Sequence, residues 1–184
     1  MNSTYKDKLK QFNSTDKYKS ELNLLLSLVD LQKNDRCLDY GCGLGTAMKF
    51  LHNKTGCHIY GFDITEELYE EDKFYFRKEL YFKVDVIYFL HSIAHIPTPE
   101  NLLSKCKDYF LNPAGRIVII TPNKDWLKLQ KNSDYTPDNT VIEHFTKTSL
   151  KEMVQEAGMK VTLECTFGQQ TEDQFERICI KATC

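Results

Sequence analysis

The 184-residue sequence lacks several features that would place it in a special class of protein. Its seven cysteines are an odd number and include no C-x-x-C pair, which argues against a disulfide framework and a zinc ribbon. The apolar runs fall well short of the ~20 residues that cross a bilayer, and no charged-then-apolar signal segment opens the chain. A formal net charge of −2 gives no general attraction to nucleic acid or to anionic membranes. We therefore expect a soluble, cytoplasmic protein with reduced cysteines.

The sequence contains neither an internal repeat nor a low-complexity linker, so one domain is expected over residues 1–184. Residues 1–35 are predicted to form a helical segment, because leucines recur at helical spacing over 20–32. Residues 36–184 are predicted to form the core of the domain.

Short apolar segments alternate with helical patterns in this core, which is typical of a parallel sheet covered by helices. Strands are predicted over 36–40, 58–64, 74–80, 84–90 and 116–121, and a closing antiparallel pair over 160–167 and 174–181. Helices are predicted from the capping residue Thr46, over 98–110, and over 146–158 with Gly158 as the C-terminal cap. The fold class is α/β: a Rossmann-like, doubly wound, mostly parallel seven-stranded sheet with an antiparallel C-terminal β-hairpin.

A glycine-rich turn, LDYGCGLGT, occupies residues 38–46 at the end of the first strand. No lysine follows Gly45, so the turn is not a P-loop for a nucleoside triphosphate. The dinucleotide pattern G-x-G-x-x-G needs a small residue where Thr46 stands, whereas Gly41, Gly43 and Gly45 form the pattern G-x-G-x-G. The turn therefore fits a dinucleotide poorly.

Acidic residues beside the turn favour a cationic ligand. Asp39 precedes Gly41 by two residues, where a carboxylate would repel a pyrophosphate but attract the ammonium and sulfonium groups of S-adenosylmethionine (SAM). The N-terminus of the following helix can hold the carboxylate of such a ligand. Asp63 ends the next strand, 22 residues after Gly41, and can bind two ribose hydroxyls, although this feature alone would also suit NAD.

Five segments resemble, in the order found here, the motifs of class I SAM-dependent methyltransferases. They are LDYGCGLGT, GFDIT, VDVIYFLHSIAHIPTP, YFLNPAGRIVIITPN and HFTKTSLKEMVQEAGMKV. The likeness covers about residues 36–181 and is nearest to small-molecule enzymes such as quinone-biosynthesis and sugar O-methyltransferases. It implies SAM as the cofactor, S-adenosylhomocysteine as its product, and a small-molecule methyl acceptor.

The resemblance also assigns residues to the cofactor. The glycine turn would surround the methionine and ribose portions, Asp63 would hold the ribose hydroxyls, Ile64 would pack on the adenine, and residues after Asp85 would lie beside the methionine. The cofactor-binding set implied in this way is Asp39, Gly41, Cys42, Gly43, Gly45, Asp63, Ile64, Phe89 and Leu90. Cys42 is interpreted as a small space-filling residue rather than a nucleophile, because no base is adjacent to it.

One departure from the family concerns the 21 residues between Asp63 and Asp85. They must hold a helix, a strand and two connections, which leaves the helix barely two turns long. Glu79 is the nearest candidate for the acid with which the family reads the adenine amino group. We expect this half of the cofactor pocket to be trimmed, which would weaken cofactor binding.

Three histidines are candidates for a base that takes the proton of a hydroxyl acceptor, because the unperturbed imidazole titrates near neutrality. His91 ends a predicted strand, where it would contact SAM or substrate or form part of the wall. His95 matches a histidine of the family's "EHV" or "HHI" stretch, although Ala94 replaces the usual Glu or His. His144 precedes the last helix and would face the acceptor or be an ordinary loop residue. The catalytic candidates are therefore His91, His144 and His95, and no metal site is predicted.

The long connection over 122–145, which carries the only tryptophan, is expected to cover the acceptor, with a partly disordered excursion as the alternative. The predicted function is transfer of a methyl group from SAM to a small molecule, with oxygen favoured. Three alternatives stay open: a degenerate or regulatory SAM-binding module without catalysis, an RNA or protein methyltransferase, and an NAD-linked oxidoreductase. The near-neutral charge argues against a nucleic-acid partner, no membrane partner is expected, and the oligomeric state is not indicated.

Overall fold

Six strands form one sheet in the computed structural model, which describes residues 3–65, 81–129, 140–171 and 174–184. The strands are β1 (Arg36–Tyr40), β2 (His58–Phe62), β3 (Val84–Leu90), β4 (Leu111–Pro122), β5 (Lys160–Thr171) and β6 (Gln174–Thr183). Their order across the sheet is β2-β1-β3-β4-β6-β5; β1 to β4 pair in parallel, and β6 is antiparallel to both β4 and β5. The predicted α/β class and the antiparallel C-terminal pair are confirmed, while the seventh strand predicted over 74–80 lies outside the described residues.

Helices cover both faces of this sheet. They are α1 (Ser3–Asn13), α2 (Asp16–Val29), α3 (Thr46–Thr55), α4 (Pro99–Lys105), α5 (Lys124–Leu129) and α6 (Lys147–Glu156). A 3₁₀ turn occupies Ile93–His95, and a π turn over Cys106–Phe110 continues α4 to the end predicted for that helix. No helix in the described part of the chain is both long and apolar enough to cross a membrane.

Strand β3 shows why the sequence builds a sheet with two covered faces. Its apolar run is buried at almost every position, and alternate side chains enter two different cores. Val86 and Tyr88 pack with α2 and α3, whereas Ile87 and Phe89 pack with α4 and α6. The central strand is thus the shared wall of both cores, and its carboxyl end emerges between them.

Several element ends differ from the prediction. Helix α2 begins at Asp16 rather than at residue 20, because the Thr15 hydroxyl caps it by accepting from the Tyr18 N–H. The cap of α3 is Gly45 in a left-handed conformation, so the prediction of Thr46 as the cap is wrong. The C-cap of α6 is Ala157 rather than the predicted Gly158, which follows it in a left-handed conformation with φ of 78°.

The connection between β4 and α6 also contains more structure than the sequence indicated. Helix α5 forms over Lys124–Leu129, and its Trp126 is buried, with the Lys17 ammonium 5.4 Å from the centre of the indole ring. Residues 130–139 lie outside the described residues.

Arg116 of β4 fastens the end of α2 to the sheet. Its Nε donates to the Val29 carbonyl at 2.9 Å, and its Nη2 donates to the Asp30 carbonyl at 2.6 Å and to Asp35 Oδ2 at 2.9 Å. The last carbonyls of a helix lack partners within the helix, so one guanidinium satisfies them and fixes where α2 lies.

We expect Arg116→Ala to lower the free energy of unfolding by about 1–3 kcal/mol, because it removes charge-assisted hydrogen bonds from half-buried carbonyls. The measurement is urea unfolding followed by circular dichroism. Lys151→Ala serves as the control, since its ion pair with Glu164 at 3.1 Å lies near the surface and is worth about 0–1 kcal/mol. Equal losses in the two variants would show that Arg116 does not anchor α2.

Candidate cofactor and acceptor site

The glycine turn leaves the carboxyl end of β1 and is held on two sides. The N–H groups of Gly41 and Cys42 both donate to the Phe62 carbonyl, at 2.7 and 3.0 Å, which ties the turn to β2. On the other side the Ser92 hydroxyl donates to the Tyr40 carbonyl, which ties the turn to the residues that follow β3. Because a Cβ at Gly41 would overlap the Ser92 side chain, and because φ there is 86°, only glycine fits this position.

Asp63 lies directly after β2 and faces the glycine turn. Its Oδ2 accepts from the Gly43 N–H and its Oδ1 accepts from the Thr65 N–H, both at 2.8 Å. Each carboxylate oxygen keeps a further lone pair that can accept a ligand hydroxyl. Ile64, predicted to pack on the adenine, is 92% exposed, and Glu79 lies outside the described residues.

Asp39 is a buried acid beneath the turn, with 2% of its surface exposed. Burial raises the pKa of Asp39 to about 8; the Tyr88 hydroxyl opposes this rise, and the negative charge of Asp63 adds to it. The carboxyl group is therefore largely protonated at neutral pH, and an arriving cation would favour its ionised form. This electrostatic environment suits the ammonium or sulfonium of SAM and disfavours a pyrophosphate.

A cavity of about 90 Å³ lies between the glycine turn and the two N-terminal helices. It is lined by Leu9, Phe12, Asn13, Tyr18, Asp39, Gly41, Cys42, Gly43, Leu44, Ala47, Leu90 and His91. Sites for drug-sized ligands usually measure about 300–1,000 Å³, so this cavity holds only part of a nucleoside-sized ligand while α1 stays docked. The docking of α1 is fixed in part by Asn13, whose Nδ2 donates to the Thr46 hydroxyl at 2.9 Å.

The residues around the cavity fit a SAM molecule in their chemistry. A Cβ at Gly43 would meet no atom within 4 Å, so a ligand can approach the backbone there. Burial raises the pKa of the Cys42 thiol, which agrees with a space-filling role. Leu90 lines the cavity, but Phe89 lies in the opposite core against Tyr40, with 5.4 Å between the ring centres. The predicted cofactor contact of the Phe89 side chain is therefore not supported, because successive strand residues face opposite sides.

His91 follows β3 in a left-handed conformation, with φ of 63°, which is uncommon for a residue with a side chain. Its N–H donates to the Ile120 carbonyl at 2.8 Å, and its Nε2 lies 2.7 Å from Oε2 of Glu21. The other oxygen of Glu21 lies 2.7 Å from Nε of Arg177. The His91 ring also meets the Phe12 ring edge-on, with 5.8 Å between their centres.

The charges in this cluster determine the protonation of His91. Burial lowers the pKa of His91, which outweighs the opposing effect of Glu21. Burial raises the pKa of Glu21, but the hydrogen bond from His91 and the charges of Arg177 and Lys17 act against this, and the net pKa is lowered. A neutral imidazole thus faces an ionised carboxylate.

The sequence prediction missed Glu21 and Arg177. The one local sign is that Glu21 shares a helical face with Leu25 and Leu28, so an acid interrupts an apolar stripe of α2. Its partner lies on β6, near the other end of the chain, and no spacing rule links the two residues.

His95 and His144 lie near each other beyond the carboxyl end of β3. The Thr140 hydroxyl lies 2.9 Å from Nδ1 of His95, and the N–H groups of Ile142 and Glu143 both donate to the Ala94 carbonyl, at 2.8 and 3.1 Å. Segment 140–145 is thereby docked on the 3₁₀ turn. Burial, followed by the charges of Lys124 and His95, lowers the pKa of His144, so its ring is neutral at neutral pH and can accept a proton.

Comparison with known proteins agrees with this geometry. A family model described as "Methyltransferase domain" matches residues 11–164, which is most of the chain. No curated protein matches the sequence significantly. A chain from the complex between the Haloferax volcanii Trm112 methyltransferase activator and a methyltransferase is similar at 14% identity with a TM-score of 0.77, covering 98% of this chain and 96% of that one.

Two further structures share the fold. A SAM-dependent methyltransferase from Aquifex aeolicus is 16% identical, with a TM-score of 0.70 and 97% of each chain covered. The geranyl diphosphate C-methyltransferase of Streptomyces coelicolor A3(2), in complex with S-adenosyl-L-homocysteine, is 14% identical with a TM-score of 0.66, covering 90% of this chain and 80% of that one. The family match, the glycine turn and the acids around it lead to one conclusion: the chain belongs to the methyltransferase domain family and is a SAM-dependent methyltransferase.

Proposed function

We propose that this enzyme transfers the methyl group of SAM to a small-molecule acceptor and that the receiving atom is oxygen. The observation that carries the proposal is the neutral His144 near His95, beyond the carboxyl end of β3, the strand whose Leu90 lines the cofactor cavity. A hydroxyl acceptor must lose a proton as it is methylated, and a neutral imidazole can take it.

The cofactor supplies an electrophilic methyl group, and the chain's own residues bind and orient it. We assign the methionine end to the cavity, where the arriving cation would favour the ionised form of Asp39 and where Leu90 and His91 form the wall. Asp63 would accept the ribose hydroxyls through the lone pairs that Gly43 and Thr65 leave available. The remaining proposed contacts come from Gly41, Cys42, Gly45, Ile64 and Glu79.

The acceptor would lie against segment 140–145 and the 3₁₀ turn. Ile142 is 57% exposed on that segment, which offers an apolar contact beside the two histidines. We therefore infer an acceptor with a hydroxyl group next to an apolar portion. The net charge of −2 disfavours a polyanionic acceptor such as RNA, because binding to nucleic acid depends largely on phosphate neutralisation. A SAM-binding module without catalysis and a protein acceptor are the alternatives, and either would show SAM binding without turnover on small acceptors.

The cofactor assignment predicts that SAM and S-adenosylhomocysteine raise the melting temperature, whereas NAD does not. Asp63→Ala should weaken SAM binding by about 10–100-fold, since it removes charge-assisted hydrogen bonds to the ribose. Isothermal titration calorimetry gives the affinities, and Asp108→Ala, remote from the turn, serves as the control. A larger shift with NAD than with SAM would overturn the assignment.

The buried acid predicts opposite effects of Asp39→Asn on stability and on binding. Because the pKa of Asp39 is raised, the ligand-free protein loses stability as the pH rises from about 4 towards 8, and Asn avoids this loss. The variant should therefore melt at a higher temperature than wild type near pH 8, yet bind SAM about tenfold more weakly. Melting curves and calorimetry from pH 6 to 9 test both effects. A variant that is less stable at pH 8, or that binds SAM equally well, would contradict this role.

The base assignment predicts that His144→Gln lowers the methylation rate by about 10²–10⁴-fold while SAM affinity stays within about twofold. In wild type the rate should rise with pH through the lowered pKa of His144 and level off near neutrality. The measurement is release of S-adenosylhomocysteine with a panel of small hydroxyl-bearing acceptors, and His58→Gln is the matched control. SAM binding without turnover on the whole panel would favour a non-catalytic module.

A further inference from the structure

Glu21 is a buried carboxylate supplied to the cofactor site from outside the sheet. It lies on α2 and is 0% exposed, and its two oxygens contact His91 and Arg177, each at 2.7 Å. Burying a carboxylate costs several kcal/mol, on the order of the stability of a domain, unless the charge is paired and hydrogen-bonded. Arg177, itself 6% exposed, supplies the counter-charge to one oxygen, and the imidazole of His91 contacts the other.

The pairing determines which nitrogen of His91 carries a proton. An ionised carboxylate can only accept hydrogen bonds, so the ring nitrogen that faces it must donate. That nitrogen is Nε2. In the neutral ring, Nδ1 is then the nitrogen with a free lone pair.

The backbone of His91 is held in place together with its ring. A left-handed conformation costs a residue with a side chain about 1–2 kcal/mol, and the His91 N–H to Ile120 carbonyl bond and the Glu21 contact both hold it there. The ring lines the cofactor cavity, and its side chain keeps 19% of its surface exposed. The strained residue is therefore fixed at the position where the cofactor would bind.

We propose that Glu21 is a positioning residue, which holds His91 as the Nε2-protonated tautomer and so leaves Nδ1 as an acceptor for the ammonium group of SAM. The inference rests on the proposed placement of the methionine end in the cavity. It also gives the N-terminal helices a part in binding, because α2 carries the carboxylate that sets the chemistry of a residue after β3.

The charges around His91 set the pH dependence of this arrangement. Glu21 and Lys17 face it from α2, Arg177 faces it from β6, and Asp39 lines the same cavity. Burial lowers the pKa of His91 first, and Arg177 and Lys17 lower it further, against the effect of Glu21. Acidification would protonate Nδ1 and remove the acceptor, so SAM affinity should fall once the pH passes below the pKa of His91.

The direct test is long-range ¹H–¹⁵N correlation NMR on ligand-free protein labelled at histidine, with the His91 signals assigned from His91→Gln. Wild type should show a protonated Nε2 and an unprotonated Nδ1 at neutral pH. In Glu21→Gln the tautomers should mix, because an amide can donate as well as accept, and SAM should bind about tenfold more weakly.

Glu176→Gln is the matched control, because Glu176 is also a buried carboxylate of this cluster but pairs with Lys17. It should leave the tautomer unchanged and SAM affinity within about twofold. Since Glu21→Gln leaves Arg177 buried without its counter-charge, Glu21→Gln/Arg177→Gln removes both charges and provides a folded comparison if the single variant unfolds. The double variant should show the same mixed tautomers.

A folded double variant that retains the Nε2-protonated signature would overturn the role of Glu21. So would mixed tautomers without any loss of SAM affinity, because positioning would then have no effect on binding. The tautomer measurement needs no cofactor and decides the first point even if wild type fails to bind SAM. That failure would count instead against the proposed function.

Discussion

The close approach of two loops at the carboxyl edge of the sheet determines the rest of the site. Gly41, after β1, lies so near Ser92, after β3, that no side chain fits between them. The Ser92 hydroxyl, the Phe62 carbonyl and the Asp63 carboxylate then hold the turn from neighbouring strands. Every one of these contacts comes from the end of a strand. The sheet therefore sets the shape of the glycine turn and restricts its backbone to one conformation.

The N-terminal helices add what this scaffold lacks. The turn and the strand ends present backbone N–H groups and the acids Asp39 and Asp63, but they leave the cavity open above Gly43. Helix α1 adds apolar side chains to the cavity wall, and α2 places Glu21 against His91. Arg116 holds the end of α2 on β4, so the position of the Glu21 carboxylate depends on a contact at the far end of its helix.

The sequence predicted those parts of the molecule that follow from local chemistry. Strand β3 was correct at both ends because its apolar run is continuous, and the glycine turn was recognisable because its spacing is specific. The cap of α3 was misassigned because a left-handed glycine can take the place of a capping hydroxyl. The side chain of Phe89 was placed with its neighbour Leu90, although strand alternation separates them. The pair of Glu21 and Arg177 could not be predicted, since only the folded topology brings α2 beside β6.

That pair has a consequence for how the chain unfolds. Strand β6 comes last in the described sequence yet lies inside the sheet, between β4 and β5, and it carries the counter-charge of a helix near the N-terminus. Detaching α2 or β6 would leave Glu21 or Arg177 buried without its counter-charge, which costs free energy. Local unfolding of either element is therefore unfavourable even before much of the core is exposed. The buried ion pair thus couples α2 to β6, and we expect these two elements to unfold together.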